Sequence, residues 1–241
     1  FKHLFWSYMS LLVEKFLYYG SNPVVRSYTG AMLKMDVFKH QPFPRGAKIL
    51  AANHPSTTDP FFVAAMARQQ TFILIKDILF QVPVLGAYLH RSGHIPVRAG
   101  EGQQAIDTAL AHLKAGHTIM IFPEGDLSPA HGGFLKARTG VARLAIASGA
   151  PVIPIGIHLL HERLRTIFSN IRGKTSEGRW YFSGPYGITT GSPLRFGGDV
   201  EDRAHVRSVA DAVMHHIIEL SHESKTRLTR APGLNSAFEP F

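Results

Sequence analysis

Apolar and polar positions follow two periods along this chain, and the period changes at turn residues. Short apolar runs typical of buried strands alternate with longer segments whose apolar residues recur at helical spacing. The predicted strands are 49–52, 71–75, 94–97, 118–122 and 152–158, followed by two further strands at 180–183 and 189–196. The predicted helices are 60–68, 84–91, 103–114 and 134–148, with a closing helix at 201–221.

This alternation predicts an α/β fold with a mixed, largely parallel sheet flanked by helices. In such folds the carboxyl ends of the parallel strands meet at one edge, where loops carry the chemistry. His54, Arg98 and Glu124 each follow a predicted strand. We therefore expect these three side chains to converge on one cleft at that edge.

The amino-terminal residues have a different pattern. Residues 1–19 are rich in aromatic and aliphatic side chains but contain Lys2, Glu14 and Lys15. Crossing a bilayer takes about 20 predominantly apolar residues, so these charges favour a helix that lies in the membrane interface. A helix packed across the rest of the protein is the alternative.

Asn22-Pro23 interrupts the apolar pattern before a second predicted helix at 24–38. No small-residue cleavage site follows the apolar run, so the segment is not typical of a signal peptide. We predict a helical, membrane-interfacial segment over residues 1–40 and one α/β domain over residues 41–241.

Composition limits the partners. The net charge is +9 with a pI near 9.9, which implies an anionic partner such as a membrane, a phosphorylated substrate, an acidic carrier protein or nucleic acid. No nucleic-acid reader motif is present, so we predict no nucleic acid partner. The chain has no cysteine, and its His158-Leu159-Leu160-His161-Glu162 run matches neither order of the zinc protease motif, so no metal is predicted.

His54 and Asp59 are the candidate catalytic pair, in the run Asn53-His54-Pro55-Ser56-Thr57-Thr58-Asp59-Pro60. His54 precedes a proline and should be extended, whereas Asp59 is suited to an N-cap with Pro60 in the first helical turn. The turn between them allows the carboxylate to bind one ring nitrogen and leave the other free as a general base. The alternative is a helix cap beside a histidine at a strand end.

Three further blocks follow His54 along the chain. They are Ser92-Gly93-His94-Ile95-Pro96-Val97-Arg98, Ile121-Phe122-Pro123-Glu124-Gly125 and Pro151-Val152-Ile153-Pro154-Ile155. With all four blocks in this order, the sequence resembles the lysophosphatidic acid acyltransferases, also called glycerolipid acyltransferases. The resemblance covers about residues 45–160.

The resemblance implies a reaction in which a lysophospholipid or glycerol phosphate hydroxyl attacks an acyl thioester. The acyl donor would be acyl-CoA or acyl carrier protein, with no cofactor. Carried over to this chain, His54 is the base, Asp59 its orienting partner and Arg98 a phosphate ligand. Glu124 and Gly125 form the turn that positions the acceptor. Pro154 falls in the block associated with site architecture and acyl-donor binding.

This chain departs from the family pattern after the third block. The family commonly has Thr-Arg-Ser there, whereas this chain has Asp126-Leu127-Ser128. If the family arginine binds an anionic acceptor, then Arg98, Lys136 or Arg138 must replace it, or the acceptor carries less charge. Solvated surface positions are the alternative for Lys136 and Arg138.

Three points remain open from the sequence. Backbone amides near Ser56 to Thr58 are the candidate donors to the thioester oxygen. A basic cluster, Arg163, Arg165, Arg172, Lys174 and Arg179, either contacts anionic lipid or donor phosphates or is a solvated crossover.

We expect an enzyme at the cytoplasmic face of a membrane; a noncatalytic lipid-binding scaffold and a glycolipid acyltransferase are the alternatives.

Overall fold

A computed structural model describes residues 32–67, 69–171 and 173–230 of the chain. Its strands are β1 (Leu33–Lys39), β2 (Lys48–Ala52), β3 (Thr71–Lys76), β4 (Ile95–Val97), β5 (Thr118–Ile121), β6 (Val152–Leu159), β7 (Arg165–Ile171), β8 (Lys174–Trp180) and β9 (Gly184–Thr190). Its helices are α1 (Asp59–Ala65), α2 (Leu85–Arg91), α3 (Gly102–Lys114), α4 (Gly140–Ser148) and α5 (Arg203–Arg230). Short 3₁₀ turns span Asp77–Gln81 and His161–Arg163.

In this described part of the chain, seven strands form the main sheet in the order β1-β9-β6-β2-β5-β3-β4. Strands β2, β3, β4, β5 and β6 are mutually parallel, whereas β9 runs antiparallel to β6 and pairs in parallel with β1. Strands β7 and β8 form a separate antiparallel hairpin. The prediction of a mixed, largely parallel sheet flanked by helices is confirmed.

The central strands β2, β5 and β6 are buried on both faces, as their continuous apolar sequences require. Along β2, Ile49 and Ala51 pack with α3, α4 and α5, whereas Leu50 and Ala52 pack with α1 on the other face. This alternation divides the core into two layers. The carboxyl ends of the five parallel strands are therefore left at one edge, between the two helical layers.

The predictions of two helices, 134–148 and 24–38, were wrong over part of their length. The predicted helix 134–148 begins only at Gly140, because the amides of Leu135 and Arg138 bond to the loop after β5 and not to a preceding helical turn. The described end of the predicted helix 24–38 is instead strand β1, paired with β9 from Leu33 to Lys39. Strand pairing in the sheet overrides helical spacing there. The predicted boundary at residue 40 therefore falls after a strand of the main sheet.

Other boundaries also moved. The predicted strands 180–183 and 189–196 are replaced by β8 and β9, and the closing helix is longer than predicted, ending at Arg230. Most of the predicted amino-terminal segment, residues 1–31, lies outside the described residues. Among the helices that the structure does describe, none combines the length and apolarity needed to cross a bilayer.

Helix α5 packs closely on β6 at Gly156. A Cβ atom at Gly156 would collide with the backbone of Leu220 and Ser221. Ser221 Oγ donates to the carbonyl of Ile157 (2.7 Å), and Ser224 Oγ donates to the carbonyl of Gly156 (3.0 Å). This close approach holds α5, the longest of the described helices, against β6, the strand beside β2.

We expect the Gly156→Ala substitution to lower the free energy of unfolding by about 3 kcal/mol, because the added methyl group meets backbone that can only move with the whole helix. The matched control is Gly102→Ala, since nothing lies within 4 Å of a Cβ atom there. Urea unfolding of both variants is the measurement. Equal stability of the two variants would contradict this packing.

Candidate active site

The side chains of His54 and Asp59 meet just beyond the carboxyl end of β2. His54 Nδ1 lies 3.0 Å from Asp59 Oδ2. Asp59 is fully buried, and the side chain of His54 is 17% exposed. Asp59 was predicted as the N-cap of α1, but it occupies the first helical position, and the cap is Thr58. Because an ionised carboxylate only accepts hydrogen bonds, the pair places the proton on Nδ1 and leaves Nε2 able to accept one.

Two further groups hold the Asp59 carboxylate. The Ser56 amide donates to Oδ2 (2.7 Å), and the Tyr186 hydroxyl donates to Oδ1 (2.6 Å). Burial, followed by the charge of Asp59, raises the pKa of Tyr186 well above its ordinary value, so the phenol keeps its proton. The carboxylate is therefore held in one orientation toward His54.

An aromatic ring also packs against the face of the His54 imidazole. The imidazole stacks on Phe122, with centroids 4.0 Å apart and planes inclined by 21°. Phe122 belongs to the third sequence block and follows β5, the neighbour of β2. The stacking limits rotation of the imidazole while Asp59 sets its tautomer.

Glu124 lies at the same edge but is almost completely buried, with 2% of its surface exposed. Its Oε1 accepts hydrogen bonds from the His54 amide (3.1 Å) and from Ser128 Oγ (2.6 Å). Its Oε2 accepts from the Leu135 amide (2.7 Å). Both carboxylate oxygens therefore bind the loops that surround the site.

Gly125 makes a close approach next to Glu124. Its φ is +69°, and a Cβ atom there would run into the side chain of Arg138. The Arg138 amide also donates to the carbonyl of Pro123 (2.7 Å). Arg138 is therefore brought to the turn after β5 by the segment that precedes α4, and both Arg138 and Lys136 are exposed there.

Arg98 follows β4, at the far end of the same row of strand ends. Its Nε lies 3.4 Å from Asp77 Oδ1, and its Nη1 lies 3.4 Å from Glu101 Oε2. The strand order places His54, Glu124 and Arg98 after β2, β5 and β4, with β3 between the last two. All three lie at one edge, but Arg98 pairs with acids and lies three strands away from His54.

Lys76 ends β3, the strand between β5 and β4, and therefore lies between Glu124 and Arg98 along this edge. Its Nζ forms an ion pair of 2.6 Å with Asp126 Oδ2. Partial burial acts to raise the pKa of Asp126, but hydrogen bonds from Lys76 and the Leu127 amide, with the charges of Lys76 and Arg138, together lower it. Asp126 is therefore a carboxylate placed among the cations of this edge.

Pro154 lies inside the sheet, paired with Ala51 of β2. Its carbonyl accepts a hydrogen bond from the Gly191 amide (2.9 Å), just beyond the end of β9. A proline is tolerated at this point because the neighbouring strand has ended and the missing N–H breaks no ladder. The structure does not bring Pro154 to the strand ends that carry His54 and Glu124.

The predicted donors to the thioester oxygen were wrong. The Ser56 amide binds Asp59, the Thr57 amide donates to the carbonyl of Arg179 (2.7 Å), and the Thr58 amide donates to Ser56 Oγ (3.2 Å). Each N–H already has an acceptor within the protein. These amides shape the loop between His54 and Asp59 instead of facing a substrate.

Tyr186, Ser128 and Lys76 were not predicted from the sequence. Tyr186 is 127 residues from its partner Asp59, and no motif accompanies it. Ser128 was named only as part of the altered third block, and Lys76 simply ends an apolar strand. Within the described residues, no three histidine, aspartate or glutamate side chains cluster in a way that would hold a metal ion.

Several known proteins are similar to this chain in sequence. The 1-acyl-sn-glycerol-3-phosphate acyltransferase of Salmonella typhimurium is 31% identical over 114 residues, covering 46% of each chain. The Escherichia coli protein of that name is 29% identical over 114 residues and also covers 46% of each chain. The Saccharomyces cerevisiae protein is 30% identical over 112 residues, 44% of this chain and 37% of its own. The match thus spans less than half the length of these curated relatives.

A solved structure shares the fold. The chain is similar to the 1-acyl-sn-glycerophosphate acyltransferase PlsC from Thermotoga maritima, with a TM-score of 0.59 and 21% identity over 93% of this chain and 82% of the other. The family model described as Acyltransferase matches residues 34–158, which include all four sequence blocks. The family resemblance is confirmed, and the chain belongs to the acyltransferase family.

Proposed function

We propose that this chain transfers a fatty acyl group from an acyl thioester to a hydroxyl of a lysophospholipid or glycerol phosphate. The donor is acyl-CoA or acyl carrier protein. The observation that carries the proposal is the 3.0 Å contact between His54 Nδ1 and Asp59 Oδ2, in a chain that belongs to an acyltransferase family. The names of the curated relatives support the glycerolipid acceptor.

In the proposed mechanism, His54 Nε2 takes the proton of the acceptor hydroxyl as its oxygen attacks the thioester carbonyl. The carbon–sulfur bond then breaks, and the proton returns from the imidazole to the departing thiolate. Asp59 stabilises the imidazolium between these steps. The chain has no cysteine, and the proposed reaction forms no acyl-enzyme.

The row of strand ends beside His54 provides the proposed acceptor site. Lys76, Arg98 and Arg138 supply positive charge, with Glu124 and Gly125 shaping the turn between them and the base. A phosphate held there would place a neighbouring hydroxyl toward the imidazole. Lys136 adds positive charge at the margin of this site. Pro154 supports the site indirectly, as part of the sheet beneath it.

The charge balance of this edge also favours a second candidate, an acyltransferase acting on a glycolipid. Lys76 is paired with Asp126, and Arg98 contacts Asp77 and Glu101. Leu127 stands where the family commonly has arginine. A phosphate monoester must compete with these acids, whereas a neutral sugar headgroup would not have to displace them.

Membrane association belongs to the proposal as well. We propose that the enzyme acts at the cytoplasmic face and that the residues before strand β1 contribute an interfacial anchor. The net charge of +9 favours an anionic lipid surface. A peripheral enzyme at such a surface would meet its acceptor without extracting it far from the bilayer.

We expect His54→Ala to reduce acyl transfer by about 10²- to 10⁴-fold, because a positioned general base is lost. The assay uses purified protein with a matrix of donors and acceptors. His215→Ala, at an exposed position on α5, is the matched control and should keep full activity. Unchanged transfer after His54→Ala would identify a different base. A folded wild-type protein inactive with every donor and acceptor would favour a noncatalytic lipid-binding scaffold.

We expect Tyr186→Phe to lower kcat by about tenfold with little change in KM, because the Asp59 carboxylate loses a charge-assisted hydrogen bond. Tyr181→Phe is the control, since Tyr181 is also buried but donates to the carbonyl of Pro185. Steady-state kinetics and thermal unfolding are measured on both. A similar loss of kcat in both variants would show that core packing, not Asp59, is responsible.

We expect Arg98→Ala to raise KM about tenfold for a phosphate-bearing acceptor and to leave the donor KM unchanged. Arg195→Ala is the control, because Arg195 binds the carbonyl of Gly149 at the end of α4. The same pair of variants is tested with a neutral glycolipid acceptor. An Arg98→Ala enzyme that keeps its KM for phosphate acceptors would remove Arg98 from the site.

A further inference from the structure

The hairpin of β7 and β8 stands apart from the main sheet. Its strands pair with each other from Arg165 opposite Trp180 to Ile171 opposite Lys174, and they form a two-stranded sheet of their own. Six consecutive residues of β7, Arg165 to Asn170, are exposed. An isolated two-stranded hairpin is at best marginally stable in water, so this one depends on what it contacts.

Large apolar side chains are exposed on both faces of this hairpin. Ile167 is 48% exposed and lies opposite Gly178, whereas Phe168 is 67% exposed and lies opposite Glu177. Successive side chains of a strand point to opposite faces, so these two point away from each other. A protein docked on one face would leave the other apolar side chain in water. A lipid interface surrounds both faces.

Aromatic rings continue this surface at the base of the hairpin. Trp180 stacks on Phe182, with ring centroids 6.2 Å apart and planes inclined by 5°. Phe182 is 45% exposed. Tryptophan and other aromatic side chains are suited to the headgroup boundary of a bilayer, where one part of the ring system meets water and another meets lipid.

The charge around the hairpin suits anionic lipid. Between residues 161 and 182 the sequence has Arg163, Arg165, Arg172, Lys174 and Arg179 against Glu162 and Glu177. Arg163 is exposed just before β7, and Arg165 is exposed at the first position of β7, whereas Arg179 is buried near Glu177. Basic residues next to exposed apolar ones combine the two forces that bind proteins to anionic interfaces.

The base of the hairpin is tied to the loop that carries the catalytic pair. The Thr57 amide donates to the carbonyl of Arg179 (2.7 Å), the Arg179 amide donates to Thr57 Oγ1 (3.0 Å), and Ser56 Oγ donates to the Arg179 carbonyl (3.0 Å). The Ser56 amide in turn binds Asp59. A hairpin set in lipid would therefore hold this loop at the membrane surface.

We propose that the β7–β8 hairpin inserts Ile167 and Phe168 into the interface of an anionic bilayer and is a membrane contact separate from residues 1–31. The lipid contact does not depend on acyl transfer. Its consequence, delivery of a membrane-embedded acceptor to His54, rests on the proposed function.

Tryptophan fluorescence tests the contact directly in the full chain. The chain has two tryptophans, so Trp6→Phe with Trp180→Phe gives a background into which Phe168→Trp places a single reporter. Vesicles of phosphatidylcholine and phosphatidylglycerol with brominated acyl chains should quench this reporter strongly. The control reporter is Ala111→Trp in the same background, an exposed neutral position on α3, and should be quenched little.

Three results would overturn the proposal. The first is an unquenched Phe168→Trp reporter in protein that sediments with the vesicles. The second is equal quenching of the two reporters, which would show adsorption without insertion of the hairpin. The third is lipid-free, concentration-dependent self-association that Phe168→Ser abolishes, because a second copy of the chain would then be the occupant.

Partitioning provides a second measurement that separates this contact from the enzyme activity. We expect Phe168→Ser to weaken binding to the same vesicles about tenfold, and Phe168→Leu to keep most of it, because apolar area is what enters the interface. If the wild-type protein is inactive but Phe168→Ser binds vesicles more weakly than Phe168→Leu, the result would support the contact while contradicting the proposed function. Active protein whose vesicle binding is the same in both variants would contradict the contact alone.

Discussion

The arrangement of this site depends on one buried carboxylate. Asp59 has no exposed surface, and an ion removed from water is stable in a protein only when its oxygens are well paired. His54, the Ser56 amide and the Tyr186 hydroxyl meet that requirement. These contacts join the end of β2, the start of α1 and strand β9. The orientation of the imidazole is therefore fixed by the same hydrogen bonds that stabilise the junction of these elements.

A second buried carboxylate holds the other side of His54. Glu124 accepts from the His54 amide while Asp59 binds its ring, so the backbone and the side chain of one residue are each anchored to an acid. Phe122, two residues before Glu124, stacks on the same ring. The family's first and third blocks thus form one structural unit across the neighbouring strands β2 and β5. The proposed base is oriented by contacts within the protein, which favours catalysis by orientation.

Charge is distributed unevenly around His54. Beyond Glu124, the cations Lys76 and Arg98 are balanced by Asp126, Asp77 and Glu101. On the other side, the β7–β8 hairpin adds exposed arginines and apolar side chains, and its backbone is bonded to the catalytic loop. We therefore propose that the acceptor headgroup and the lipid surface approach His54 from different directions. The acids Asp126, Asp77 and Glu101 would weaken the binding of a negatively charged headgroup.

The sequence by itself determined the α/β class, the family and the meeting of His54 with Asp59, because these depend on local signals: strand and helix periods, a proline after His54 and a turn of few residues. It also placed Glu124 and Arg98 at one edge, since parallel strands share their carboxyl ends. Only the tertiary structure decided that Tyr186 binds Asp59 and that residues 33–39 are a strand. It also decided that both oxygens of the Glu124 carboxylate accept hydrogen bonds from the surrounding loops. These outcomes depend on partners 11 to 127 residues away or on pairing across the sheet, where contacts between distant segments override local preference.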